Sequence, residues 1–463
     1  MQVLTPSVPS RAAITALLTS LLAGCATSPP ATPPALSVPP AWAFDVRGGA
    51  QATPLATAEW WRDFGNQELN ELVETALRAN LDVRMAAARV EQARALVDIA
   101  DADRVPQLGL EAGMRSGRES GADPKARVAR GGFRASWELD LFGDKRMASL
   151  AAEKDLESAE LARQSVRVVI AAEVMTAYFD AQSSTQREAI AREVAATLER
   201  QIEVAQRRFQ AGQVSRLDVD RLTAELGQER ANAAQLRGAR EVRLRQMAVL
   251  LGASQAPLGL RFPPIPDSAA AMPAVLLPIE LLERRPDVRG PARAVEAAVA
   301  RLGIAKRDLY PRISLDWAGS RERQSVAGAG ASPTTVVGYG VALSLPIFDG
   351  GRIRANIEIH EAKAQEAMLS YEKAMLSALA DAEAAAVQLE AAQAGVSALS
   401  RTQTAGADAA SRSQRLFDSG LVDLNTVLDA RRIYLKARDG MLQGQGAQWA
   451  AAVAVRRAFA GRI

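Results

Sequence analysis

Four short stretches of the chain alternate apolar and polar residues with a period of two, the pattern of a strand with one apolar face. In Gln107–Arg115, Leu108, Leu110, Ala112 and Met114 share one face, with Gly109, Glu111, Gly113 and Arg115 opposite. In Gly132–Phe142, Phe133, Ala135, Trp137, Leu139 and Leu141 oppose Arg134, Ser136, Glu138 and Asp140. Ile313, Leu315 and Trp317 belong to a third strand, and Tyr339, Val341, Leu343, Leu345 and Ile347 to a fourth. Polar, Gly-rich segments, Ser116–Gly131 and Arg321–Val337, predict the hairpin loops between them. Strands of about 9–11 residues span a bilayer when tilted, and one polar and one apolar face suits a barrel around water. A half-buried soluble sheet shows the same alternation.

Each hairpin leads into a sharp stop, Phe142-Gly143-Asp144 and Pro346-Ile347-Phe348-Asp349-Gly350-Gly351, and then into a very long helical pattern. Lys145–Phe209 and Arg352–Phe417 contain no proline, and some 65 residues at 1.5 Å rise give about 100 Å. In the second of these, Ile357, Ala364, Tyr371, Ala378 and Ala385 form a heptad seam beside Met368, Met375, Ala382 and Leu389. That spacing marks coiled-coil packing, and alanine permits close approach. Shorter helices are expected near Glu68–Asp103, Arg216–Leu250, Leu281–Asp308 and Leu421–Ala460, with Trp60 and Trp61 covering a helix end. Gly212 and Gly420 supply the left-handed residue that ends each long helix.

These elements occur twice. Shifted by 205, Asp82–Leu110 falls on Asp287–Leu315 without a gap and with 13 identities in 29 positions. The offset reaches 208 where Phe209-x-x-Gly212 meets Phe417-x-x-Gly420. The expected organisation is a signal peptide over 1–24, a Pro-rich tether over 25–59, a first repeat over 60–251, a Pro-rich connector over 252–280 and a second repeat over 281–463. The fold class is mainly α with β: long coiled-coil helices plus four candidate membrane strands per chain.

Composition narrows the function. With 56 basic and 53 acidic residues among 463, the net charge is +3, which gives no sign of a nucleic-acid surface. One Cys and one His (His360) leave no disulfide framework, cysteine zinc site or histidine cluster. No nucleophile–base or metal constellation is visible, so no catalytic residue, metal or cofactor is expected. The 13-residue apolar run 12–24 is too short to span a membrane and suits a signal-peptide core. It ends in Leu22-Ala23-Gly24-Cys25, which resembles a bacterial lipoprotein cleavage box. That resemblance implies an acylated Cys25, and Ala26 in place of Asp implies export to the outer membrane.

Four strands cannot close a barrel, which takes about eight or more, and an open sheet edge cannot sit in lipid. If the strands are in the membrane, several chains must share one barrel. The alternative is a periplasmic coiled-coil scaffold lipoprotein with a small sheet. Four motifs favour the first reading: Leu281–Val288 (LLERRPDV), Tyr310–Leu315 (YPRISL), Leu345–Arg352 (LPIFDGGR) and Arg415–Arg432 (RLFDSGLVDLNTVLDARR). Through them the chain resembles the TolC-like outer-membrane factors of tripartite, RND-type efflux systems, in their NodT-like lipoprotein branch. The resemblance implies a homotrimer with a twelve-stranded barrel and a periplasmic α-helical tunnel. It further implies docking to a periplasmic adaptor and an inner-membrane pump. Its acidic gate ring falls on Asp429, for which the alternative is a solvated helix carboxylate or an i, i+3 partner of Arg432, with Asp423 as a second ring or an arginine partner. Its adaptor-contacting tips fall on Phe209, Gly212 and Gln213 and on Phe417, Gly420 and Leu421. Asn425 stands where relatives often carry an apolar gate residue.

Overall fold

The computed structural model describes residues 38–42, 59–117, 126–255, 259–265, 277–326 and 331–460; Cys25 and most of the tether lie outside these. After a 3-10 turn at Trp60–Phe64 come α1 (Gln67–Ala79), α2 (Leu81–Ala102), β1 (Gln107–Gly117), β2 (Ala126–Glu138), α3 (Asp144–Gln210) and α4 (Arg216–Leu250). The second repeat gives α5 (Pro278–Arg284), α6 (Pro286–Arg307), β3 (Arg312–Val326), β4 (Ser332–Ser344), α7 (Arg352–Asp418) and α8 (Leu424–Phe459) in the same order. The repeat read in the sequence is thus a repeat of elements. Both long helices have 67 residues.

The expected single helices at Glu68–Asp103 and Leu281–Asp308 are each broken, at Asn80 and Arg285. Asn80 leaves the helical conformation (φ −58°, ψ 134°) and its Oδ1 accepts from the N–H groups of Asp82 and Val83 at 2.8 and 3.1 Å. Arg285 precedes Pro286 and is extended (φ −69°, ψ 123°), as the residue before a proline prefers.

The strands differ from expectation at both ends. Asp140, Leu141 and Phe142 lie beyond β2, because Asp140 turns back to accept from the N–H groups of Lys145 and Arg146 at the start of α3, both at 3.1 Å. Leu345 and Ile347 likewise lie beyond β4. At the other end the ladder runs on into the expected loops: Arg127 pairs with Ser116, and Glu322 with Thr334. Hydrophobic alternation stops there while backbone pairing continues.

The chain divides into two compact units, and the division falls inside both long helices. One lies within Glu91–Ser158 and Ala292–Tyr371 and contains all four strands. They form one antiparallel sheet in the order β1-β2-β3-β4, so β1 and β4 are open edges. Register places Leu108, Leu110, Phe133, Ala135, Leu315, Trp317, Tyr339 and Val341 on one face. That face is not a core: Leu110 is 71 % exposed and Tyr339 90 %. The opposite face carries Glu111, whose carboxylate meets Arg134 at 3.0 Å and Arg130 at 3.9 Å.

The other unit comprises Leu36–Val90, Ala159–Pro291 and Glu372–Ile463. Its core gathers Trp60, Trp61, Phe64, Met175, Tyr178, Phe179, Met247, Leu281, Trp449 and Phe459. Trp60 and Trp61 are central to it rather than a cover over a helix end. Of the α7 seam, Ala378, Ala382, Ala385 and Leu389 are buried. Among the described residues no helix is long and apolar enough to cross a membrane.

Candidate channel gate and helical tips

The sites expected at Asp429 and Asp423 lie in the second unit, where the long helices turn. At the end of α3, Gly212 (φ 71°) donates to the Phe209 carbonyl at 2.9 Å, and Gln213 to that of Arg208 at 2.9 Å. At the end of α7, Gly420 (φ 74°) donates to Phe417 at 2.8 Å and Leu421 to Leu416 at 2.9 Å. The six-residue span of the second bond in each pair satisfies carbonyls the helix end would otherwise leave unpaired. The turns put apolar side chains outward: Phe209, Phe417 and Leu421 are all exposed, as is Leu217 at the start of α4.

Asp423 is the N-cap of α8. Its Oδ1 accepts from the Thr426 N–H at 3.0 Å and from the Thr426 hydroxyl at 2.8 Å, and its Oδ2 meets Arg208 of α3 at 3.1 Å. The Thr426 N–H first, then its hydroxyl and the Arg208 guanidinium, hold the Asp423 carboxyl below the usual carboxylate range. Of the two roles expected for Asp423, the arginine pairing is the one present within a single chain.

Asp429 sits a little further along α8 and is held at one oxygen. Its Oδ1 accepts from Gln201 Nε2 of α3 at 3.0 Å and pairs with Arg432 at 3.2 Å. The side chain is 54 % exposed. Arg432 also pairs with Glu225 of α4 at 2.5 Å, and Lys436 joins the same carboxylate at 3.0 Å. Further up, Arg187 of α3 makes a two-pronged contact with Asp439 at 2.9 and 3.1 Å. Polar bonds therefore fasten α8 to α3 and α4 along this stretch.

Sequence reasoning finds Asp423 and Asp429 but misses their partners Arg208 and Gln201, and Glu225, which pairs with Arg432. Each pairing joins residues more than 200 apart in sequence, and no local pattern carries that distance. Among the described residues no group of three or more His, Cys, Asp or Glu side chains is placed to hold a metal ion.

The comparisons with known proteins agree with this architecture. The family model described as "Outer membrane efflux protein" matches residues 72–253 and 277–461. The chain is 28 % identical to the pyoverdine export outer membrane protein OpmQ of Pseudomonas aeruginosa, covering 95 % of this chain and 94 % of that protein. It is 27 % identical to the probable outer membrane lipoprotein SilC of Salmonella typhimurium, over 89 % and 90 % of the two chains. The solved outer-membrane channel OprN is 31 % identical, with a TM-score of 0.76 over 93 % of this chain and 99 % of that one. All three are named as outer-membrane proteins, and OprN as an outer-membrane channel. With nearly all of both repeats matched, this chain belongs to the outer membrane efflux protein family.

Proposed function

We propose that three copies of this chain assemble into one duct through which substrate, delivered by a periplasmic adaptor and an inner-membrane pump, leaves across the outer membrane. The observation that carries the trimer is the sheet: four strands, two open edges, and an apolar face on which Leu108, Leu110, Phe133, Trp317, Tyr339 and Val341 are exposed. In water such a face drives aggregation. In lipid it is the outer wall of a barrel, and three copies give the twelve strands that remove the edges. The chain acts as a passive conduit, with energy supplied by the pump. Cys25 carries the acyl anchor, a reading supported by the likeness to a probable lipoprotein.

Asp429 lines the periplasmic constriction. Its Oδ1 takes both partners, while Oδ2 has none among the described residues and the side chain is half exposed. Three such carboxylates around a threefold axis attract cations. Gly212 and Gly420 hold the tips that meet the adaptor, and the exposed Phe209, Gln213, Phe417 and Leu421 supply the contact surface.

Two measurements test this. The native mass of the protein extracted from outer membranes in mild detergent is expected to be that of a lipidated trimer; a lipidated monomer would leave four strands that cannot close. In planar-bilayer recordings, Asp429→Ala is expected to weaken cation preference and cation block. Unchanged selectivity would remove Asp429 from the gate.

A further inference from the structure

Five arginines of the sheet fall into two groups. Register places Arg130 and Arg134 on the polar face, where Glu111 and Glu322 answer them: Arg134–Glu111 is 3.0 Å, Arg130–Glu111 3.9 Å and Arg130–Glu322 3.9 Å. Arg127, Arg321 and Arg323 alternate onto the other face, the one that carries Phe133, Trp317 and Tyr339. All three are exposed, and none has an ion pair among the described residues.

Their positions are specific. Arg321 and Arg323 are two residues apart on one strand face, about 6.6 Å along it. Arg323 is opposite Ala129, so Arg127 is its diagonal neighbour on the next strand, about 7–8 Å away. One multiply charged anion can be reached by all three. They also mark an end of the apolar surface. On β3 the outward residues Ile313, Leu315, Trp317 and Gly319 are followed by Arg321. On β4 the outward apolar run from Leu343 to Val337 covers seven residues, and Val337 pairs with Gly319. Its six steps at about 3.3 Å, tilted by about 40°, rise about 15 Å, more than half of the roughly 25 Å lipid-facing band of such a barrel. The arginines lie just past that apolar run, toward the hairpin ends.

We propose that Arg127, Arg321 and Arg323 clamp the phosphate groups of the phosphorylated glycolipid that fills the outer leaflet of the outer membrane. Three like charges this close repel one another unless an anion sits between them. Guanidinium groups grip phosphate through paired N–H donors, and low dielectric at the headgroup boundary strengthens the contact. Arg130 and Arg134 on the polar face need no such ligand because Glu111 and Glu322 already serve them. The clamp rests on the barrel reading above, since that reading turns this face toward lipid.

The test is native mass spectrometry of the full-length protein in detergent, titrated with bisphosphorylated lipid A, with phosphatidylglycerol and with inorganic phosphate. The same protein is recorded in planar bilayers. The wild type is expected to retain bisphosphorylated lipid A in preference to phosphatidylglycerol. The combined variant Arg127→Gln, Arg321→Gln, Arg323→Gln is expected to lose at least about tenfold in that affinity while keeping its conductance. Arg115→Gln, at the same end of the sheet on the polar face, is expected to bind as the wild type does. Equal retention by the triple variant, an equal loss in Arg115→Gln, or equal occupancy by phosphatidylglycerol or inorganic phosphate would each overturn the clamp while leaving the channel intact. Absence of pore conductance in the wild type would overturn the channel reading and the clamp with it.

Discussion

In the first repeat the helix break is made by Asn80, and in the second by Arg285, at the equivalent position 205 residues later. Asn80 Nδ2 donates to the Leu250 carbonyl at 3.0 Å, at the end of the returning helix α4. Arg285 Nη1 donates to the Ala458 carbonyl at 3.2 Å, near the end of the returning helix α8 and 208 residues beyond Leu250. The same joint is thus built once with a neutral amide and once with a buried guanidinium. The arginine reaches further: it also donates to the Ala378 carbonyl at 3.2 Å and pairs with Asp287 at 2.6 Å and Asp381 at 3.5 Å. The tips repeat the contrast. Ser215 of the first repeat keeps its bonds within its own turn, its N–H and hydroxyl donating to Asp218 at 3.0 and 2.8 Å. Asp423, its equivalent, caps its own helix and also holds Arg208 of the first repeat. In both pairs the second repeat carries the charged residue and makes more contacts beyond its own turn.

The largest effect should follow from breaking the charged joint. Arg285→Ala leaves two carbonyls without their donor, at roughly 1–3 kcal/mol each, so a loss of about 3 kcal/mol is expected in denaturant unfolding of the detergent-solubilised protein. Arg285→Lys should recover only part of it, since an ammonium cannot span carbonyls and carboxylate as the fork does. Complete recovery by lysine would mean that charge alone matters at this joint. Asn80→Ala should cost less, about 1–2 kcal/mol, for one cap and one carbonyl. A cost equal to that of Arg285→Ala would erase the distinction between the two joints.

The tips sharpen the comparison at a smaller scale. Ser215→Ala removes one hydroxyl bond and should cost about 0.5–1 kcal/mol. Asp423→Ala removes a cap and a cross-link together and should cost about 1–2 kcal/mol. Hydrogen exchange gives the finer readout: Asp423→Ala should loosen amides at the ends of both α3 and α8, whereas Ser215→Ala should loosen only the start of α4. Confinement of the Asp423→Ala effect to α8 would show that the Arg208 contact contributes nothing.

These joints also explain what the sequence discloses and what it hides. The strands are legible because one face must be apolar over its whole length, so Leu108 to Met114 and Tyr339 to Leu343 alternate without exception. The ends of the strands are not. Past Met114 and Val337 neither face needs to be apolar, and pairing at Arg127–Ser116 leaves no pattern to read. The helix breaks are hidden because apolar periodicity runs through Asn80, whose side chain sets the break by bonding forward to Asp82 and Val83. Gly212 and Gly420 are visible because a left-handed turn needs glycine. Asp429 is visible only through family resemblance, and its partners Gln201 and Arg432 show how a carboxylate is positioned on an exposed helix face.

The smallest expected effect separates the cap of Asp423 from its charge. Asp423→Asn keeps an oxygen to accept the Thr426 N–H but loses the ion pair with Arg208. At neutral pH the difference should be under about 1 kcal/mol, since the pair is partly exposed and screened by water. The pH dependence is more telling. The folded-state pKa of Asp423 is depressed, so its contribution is present above the ordinary carboxylate range, near 4, and is lost as pH falls through the lower folded value. Wild-type protein should therefore lose exchange protection at Thr426 in acid, and Asp423→Asn should show no such step. The first tip supplies the control. Asp218 is likewise held low, by the Ser215 hydroxyl and then the Ser215 N–H, so α4 should keep its acid response in Asp423→Asn. If Thr426 still loosens in acid in that variant, another carboxylate governs the second tip, and the Arg208 link is a passive contact between two helices already held by Gln201 and Arg187.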